Sequence, residues 1–171
     1  SWMERHKPDV YQAILDADKL SMENFSGHGS AIAQAYNHMI MPLANKRDKY
    51  TQVIWGIKDF EKRFNRYPEG MWLPETAVDL ETLEVLVSLG IKFTVIAQRQ
   101  AGRVKRIGET GNWVDATDEK IDSTMNYLCH LPSGQSINIF FYNGKIAQEV
   151  SFGGLLSDGE GFAKTLLSAF N

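Results

Sequence analysis

Residues 70–79 read Gly70-Met71-Trp72-Leu73-Pro74-Glu75-Thr76-Ala77-Val78-Asp79, and this stretch decides the fold. Met71-Trp72-Leu73 is a short apolar run bounded by Gly70 and Pro74, the pattern of a buried strand. Asp79 stands where it can cap a helix over 79–89, with Leu80, Leu83, Leu86 and Val87 at helical spacing and Gly90 as the C′ residue. Residues 91–97, Ile91-Lys92-Phe93-Thr94-Val95-Ile96-Ala97, form a second strand rich in β-branched side chains. Strand, helix and strand in succession predict α/β architecture with parallel strands and outer helices. In such a sheet, a carboxylate just past a strand lies in the crevice at the C-terminal strand ends, where catalytic groups collect. That reading puts Glu75 in the crevice.

The pattern continues on both sides. A helix over 46–64 carries Val53, Ile54, Ile57, Phe60 and Phe64 on one face, and its charged residues read as a solvated face. A helix over 8–20 has Val10, Tyr11, Ile14 and Leu15 at apolar positions. Residues 21–30 read as a Gly/Ser/Asn loop, and 31–43 as a mixed segment ending at Pro42. Residues 137–142 form another strand, 146–152 read as extended, and Phe162, Leu166 and Phe170 mark a last helix. Residues 99–133 are polar and irregular, about 35 residues, too long for a plain connection. They are expected to hold an active-site excursion or short strands.

The chain has 171 residues, the length of one domain. Its 43% hydrophobic and 23% charged residues are those of an ordinary globular protein. A net charge of −3 argues against nucleic acid as a partner, since phosphate-backbone binders carry basic patches. No apolar run approaches the roughly 20 residues that cross a bilayer, so no membrane partner is expected. The single cysteine, Cys129, excludes an intramolecular disulfide and suits a reducing, cytoplasmic compartment. Aromatic residues make up 11% of the chain, which fits either a sugar-binding cleft or a dense core.

Each candidate residue has two readings. Glu75 is a catalytic carboxylate with Trp72 offering its face to a sugar ring, or it borders a helix while Trp72 fills the core. His28, in Gly27-His28-Gly29-Ser30, and His38, in Tyr36-Asn37-His38-Met39-Ile40-Met41-Pro42-Leu43, invite a metal hypothesis. Their spacing is wrong for helical His pairs at i and i+4 and no cysteine assists, so no metal or other cofactor is expected. Asp158 and Glu160, in Ser157-Asp158-Gly159-Glu160-Gly161, match the capping of a helix N-terminus better than acid catalysis. The glycines match neither a P-loop nor a dinucleotide fingerprint, and Cys129 lies in no nucleophile elbow.

Taken together, these segments resemble glycoside hydrolase family 57. Gly-Met-Trp-Leu-Pro-Glu-Thr-Ala at 70–77 is similar to the family's nucleophile motif, in which a strand ending in Trp-Leu-x-Glu presents a glutamate to the anomeric carbon. Tyr36-Asn37-His38-Met39-Ile40-Met41-Pro42-Leu43 resembles an upstream His-x-Ile-Leu-Pro-Leu segment that lines the sugar subsite. Gly90-Ile91-Lys92-Phe93 resembles the family's Gly-Ile-Arg-Phe continuation, and 140–152 the stretch before the last catalytic strand. The resemblance runs over about 27–170 and is greatest to a poorly characterised bacterial branch. It implies part of a distorted (β/α)7 barrel, with Glu75 as nucleophile, His38 and Trp72 as substrate-binding residues and His28 near the cleft.

The departures from the family pattern shape the functional expectation. The family's N-terminal His-Gln-Pro segment is absent, and the acid/base aspartate, expected on a strand beyond the last helix, is not reached. A whole (β/α) barrel typically needs about 250 residues, so 1–171 reads as a single-domain middle portion of a catalytic barrel. The expected activity is that of a retaining glycoside hydrolase or glucanotransferase acting on an α-glucan or oligosaccharide, its general acid/base lying outside this chain. This chain alone is expected to be inactive, and the edges of a truncated barrel to favour self-association. The alternatives are a non-catalytic carbohydrate-binding barrel and a metal-dependent polysaccharide deacetylase.

Overall fold

Two strong amphipathic helices and the strands beside them organise the molecule, for which a computed structural model describes residues 1–108, 110–118 and 120–168. Helix α3 (Lys46–Phe64) starts where the Asn45 side chain accepts the Asp48 N–H, and stops at Asn65 in the left-handed conformation, φ 52°. Helix α4 (Leu80–Ser88) starts where the Asp79 side chain accepts the Thr82 N–H. It is followed by Gly90 at φ +77°, a conformation that glycine adopts without steric cost. Before α3 come α1 (Trp2–His6), α2 (Pro8–Asn24) and the short strand β1 (Ala33–Gln34), with a 3₁₀ turn at Met41–Leu43. After it come β2 (Gly70–Trp72), α4, β3 (Phe93–Ala97), β4 (Arg103–Val104), β5 (Val114–Asp115), β6 (Asn126–His130), β7 (Ser136–Tyr142), α5 (Gly144–Ser151) and α6 (Gly159–Ser168).

The main sheet has the order β1-β2-β3-β7-β6. The first four strands are parallel, as the strand–helix alternation predicts, whereas β6 runs antiparallel to β7. Strands β4 and β5 pair separately as a small antiparallel ribbon. The irregular segment 99–133 thus holds three short strands, and the described strands form an open sheet rather than a closed barrel.

One face of the sheet is the core. Met71 and Leu73, Thr94 and Ile96, and Ile137, Ile139 and Phe141 alternate inward against Val53, Ile57 and Phe60 of α3 and Leu83 and Leu86 of α4. Each fully buried aliphatic side chain here contributes roughly 1.5–3 kcal/mol. The opposite face carries Trp72, Phe93, Asn138, Phe140 and Leu128, and these stay half-buried or exposed. Gly56 lets α3 approach β1, since a Cβ there would stand 2.1 Å from the Gln34 carbonyl oxygen.

Several local expectations change in the folded chain. Residues 146–152, read as extended, lie mostly within helix α5, which the Asn143 side chain starts by accepting the Ile146 N–H. Helix α2 runs on to Asn24, into the segment read as loop. Its inward positions are Tyr11, Leu15 and Asp18, so Val10 and Ile14 are exposed; Ile54 of α3 is exposed too. Phe170 lies outside the described residues. The face of α3 read as solvated contains Lys49, which is 1% exposed. Asp79 and Glu81 draw it inward, compensating a charge that would otherwise be costly to bury.

Candidate active site

Pro74 ends β2 and opens a 3₁₀ turn, Pro74–Thr76, at the C-terminal end of the parallel strands. Glu75 and Thr76 both occupy the left-handed region, at φ 55° and φ 53°. For non-glycine residues, and for a β-branched threonine above all, this conformation costs on the order of 1 kcal/mol each and persists only where the surroundings impose it. The turn is closed by Thr76 N–H to the Leu73 carbonyl and Ala77 N–H to the Pro74 carbonyl, both at 3.0 Å. It projects the Glu75 carboxylate into solvent, with the side chain 69% exposed.

His38 meets Glu75 there. Its Nε2 lies 2.8 Å from Glu75 Oε1, across 37 residues of sequence. With the carboxylate ionised, Nε2 carries the proton and donates. Glu75 Oε2 takes no hydrogen bond from any described residue, so one carboxylate oxygen is held and the other is open. His38 lies just before the 3₁₀ turn Met41–Leu43, whose Met41 is buried in the core and anchors the segment.

Trp72 sits on the open face of the sheet, in register with Gln34 of β1. It borders a cavity of about 560 Å³ shared with Tyr36, Gln34, Asp59, Phe60 and Arg63. Half-buried, it is neither a core residue nor a fully presented platform.

His28 does not join this group. Its Nδ1 bonds Glu69 Oε2 at 2.8 Å, while Lys92 Nζ bonds the other Glu69 oxygen at 2.9 Å. Glu69 and Lys92 immediately precede β2 and β3, so His28 lies at the N-terminal end of the strands, opposite Glu75. The hydrogen bonds from His28 and then from Lys92 hold the Glu69 carboxyl below its ordinary value. Proximity in sequence to a Gly-rich loop carried no information about which end of the sheet His28 occupies.

The remaining candidates have structural partners. The Asp158 side chain accepts the Glu160 N–H at 3.1 Å, as a cap at the start of α6. Cys129 is half-buried on β6, where burial pushes its thiol up, away from the reactive thiolate. Among the described residues no three His, Cys, Asp or Glu side chains gather as a metal-binding group. Among those residues, too, no helix is long and apolar enough to cross a membrane.

Two groups around Glu75 had no signal in the sequence. Lys49 Nζ bonds both Asp79 oxygens, at 3.1 and 2.8 Å, and Glu81 Oε2 at 2.8 Å, fixing the start of α4 immediately after the turn. Burial would push the Lys49 ammonium down, but the bonds from Asp79 and Glu81 override it and raise the value. From the β3 side, Gln100 Nε2 donates to the Thr76 carbonyl and its Oε1 accepts the Ala97 N–H, both at 2.8 Å.

The chain is similar to known proteins over most of its length. The sequence profile of Glycosyl hydrolase family 57 matches residues 5–168. Alpha-amylase 1 of Dictyoglomus thermophilum is 24% identical over 96 residues, which cover 56% of this chain and 13% of that protein. The 4-alpha-glucanotransferase from Thermococcus litoralis superimposes with a TM-score of 0.60 at 18% identity, over 88% of this chain and 21% of that one. The exo-type maltose-forming amylase from Pyrococcus sp. ST04 gives a TM-score of 0.61 at 21% identity, over 93% and 23%. The chain thus spans less than a quarter of the length of each of these proteins.

Proposed function

The chain belongs to glycosyl hydrolase family 57, and from that premise we propose that it is the nucleophile-bearing part of a retaining α-glucan hydrolase or transglycosylase. The observation that carries the reading is the 2.8 Å bond between His38 Nε2 and Glu75 Oε1 at the C-terminal strand ends. A carboxylate with one oxygen held by a donor and the other open is suited to attack. Glu75 Oε2 forms a bond to the anomeric carbon while the bond from that carbon to the glycosidic oxygen breaks. A carboxylic acid from outside these residues protonates the departing oxygen. It then takes a proton from water or from an acceptor hydroxyl, whose oxygen displaces Glu75 with net retention.

His38 orients the nucleophile in this reading, and Trp72 and its cavity border the sugar-binding side. That the acid/base group lies outside this chain is supported by two facts. The chain spans only a fraction of its matched proteins, and Asp158 is engaged as a helix cap. The lone thiol of Cys129 supports a reducing, cytoplasmic setting. The open edges at β1 and β6 support self-association of this chain, which sedimentation reads. In the full-length gene product, Glu75→Gln is expected to abolish glucan turnover and leave glucan binding intact. Retained turnover overturns the assignment of Glu75.

A further inference from the structure

We propose that Gln100 is a positioning residue for Glu75, holding the left-handed turn that aims the carboxylate; this rests on the reading of Glu75 as nucleophile. The turn needs an external hold. Glu75 and Thr76, at φ 55° and 53°, are two consecutive side-chain-bearing residues in a conformation that ordinarily favours glycine. The turn's own bonds, from the Thr76 and Ala77 N–H groups, close it but tie it to nothing beyond 73–77.

Gln100 supplies the tie. It lies on the 3₁₀ turn Gln98–Gln100 at the C-terminal end of β3, the strand paired with β2. Its primary amide carries a donor and an acceptor on separate atoms, and both are used in this fork. The Nε2 donates to the Thr76 carbonyl, one peptide from Glu75, and the Oε1 accepts the Ala97 N–H at the end of β3. The position of the turn after β2 is thereby referred to the backbone of the neighbouring strand.

Gln98, two residues earlier, shows the same chemistry aimed elsewhere. Its Nε2 donates to the Ile121 carbonyl at 2.9 Å and its Oε1 accepts the Gly144 N–H at 3.1 Å. It ties the 99–133 excursion to the start of α5 and touches nothing at Glu75. Gln98 is therefore the natural control, a bridge of equal form with a purely structural target.

Two variants test the proposal. Gln100→Met keeps the bulk and loses both bonds, while Gln100→Glu keeps the acceptor for Ala97 and loses the donor for Thr76. In this 171-residue chain, amide hydrogen exchange at Thr76 and Ala77 is expected to quicken at least about tenfold in both variants, with the β7 amides and the β3 amides other than Ala97 unchanged. A general loss of stability would instead quicken all of them together. In the full-length gene product, kcat for glucan is expected to fall about 10- to 100-fold with KM within about twofold, the scale of a misplaced reacting group. Gln98→Met is expected to quicken exchange at Gly144 and leave Thr76 and Ala77 alone. Unchanged exchange at Thr76 and Ala77 overturns the proposal, and so does unchanged kcat in variants of an enzyme that Glu75→Gln inactivates. Turnover surviving in Glu75→Gln instead overturns the nucleophile reading, a separate result from a separate variant.

Discussion

Lys49 on α3 and Asp79 at the start of α4 form a chelated ion pair in which the ammonium is buried and both carboxylate oxygens are engaged, at 3.1 and 2.8 Å. The same carboxylate caps α4 through the Thr82 N–H at 2.8 Å. One group therefore starts a helix, neutralises a buried cation and ends the loop that carries Glu75.

Because the two partners are unequally buried, removing each has a different effect. Asp79→Ala leaves the buried ammonium with Glu81 alone and removes the α4 cap, and is expected to cost about 3 kcal/mol. Lys49→Met fills the same space with an apolar stem and leaves two carboxylates that reach water, so about half that loss is expected. Urea denaturation of the two variants checks the order. A greater loss from Lys49→Met would mean that the pair's attraction outweighs the cost of burial.

Acid unfolding should follow the depressed carboxyls. The Arg66 guanidinium holds Asp18 below the usual aspartate value, against burial and with help from the Ala31 N–H. Burial would raise Asp79, but the Lys49 and Thr82 bonds overcome it and lower the value. A carboxyl whose folded value is depressed contributes stability that is complete above its unfolded value of about 3.9 and is lost as pH falls through the folded value. Urea midpoints are therefore expected to be level near neutrality and to fall below about pH 4. Asp18→Asn, which removes the Arg66 partner, should flatten that fall. An equally steep fall in the variant would place the acid sensitivity elsewhere.

The left-handed turn carries a stability signature of its own. Glu75→Gly removes an exposed side chain from φ 55° and puts there the residue that accepts it without strain. The variant is expected to gain about 0.5–1 kcal/mol while losing the carboxylate that the proposed chemistry needs. Differential scanning calorimetry reads the gain. A loss of stability would show that the His38 bond outweighs the backbone strain.

The contact between α3 and β1 is limited by backbone rather than by side chains. A methyl group at Gly56 would meet the Gln34 carbonyl at 2.1 Å, a main-chain atom that cannot rotate aside. Gly56→Ala is expected to cost about 1–3 kcal/mol through displacement of α3 from the edge strand. Thermal unfolding checks it, with Gly102→Ala, where a Cβ meets nothing within 4 Å, as the neutral comparison.

What the sequence determined by itself was local and periodic. The 3.6-residue repeat in Val53, Ile57 and Phe60, the β-branched run of β3, the Asp79 cap and Gly90 specify their elements without help from distant residues. So does the order strand, Pro-Glu, helix, which leads Glu75 to the C-terminal strand end. The extended reading of 146–152 failed because the cap at Asn143 and the helix formers Ala147, Gln148 and Glu149 outweigh its scattered β-branched residues. Only the tertiary structure decided which of two similar histidines meets Glu75: His38 arrives across 37 residues, whereas His28 bonds Glu69 at the opposite strand end. It also decided that Lys49 and Asp18 go inside, and that Gln100 grips Thr76. Hydrophobic periodicity records which face of an element turns inward. The pairs that Gln100 makes with Thr76, Lys49 with Asp79 and Glu81, and Asp18 with Arg66 join residues 24 to 48 positions apart, and no repeat in the chain encodes them.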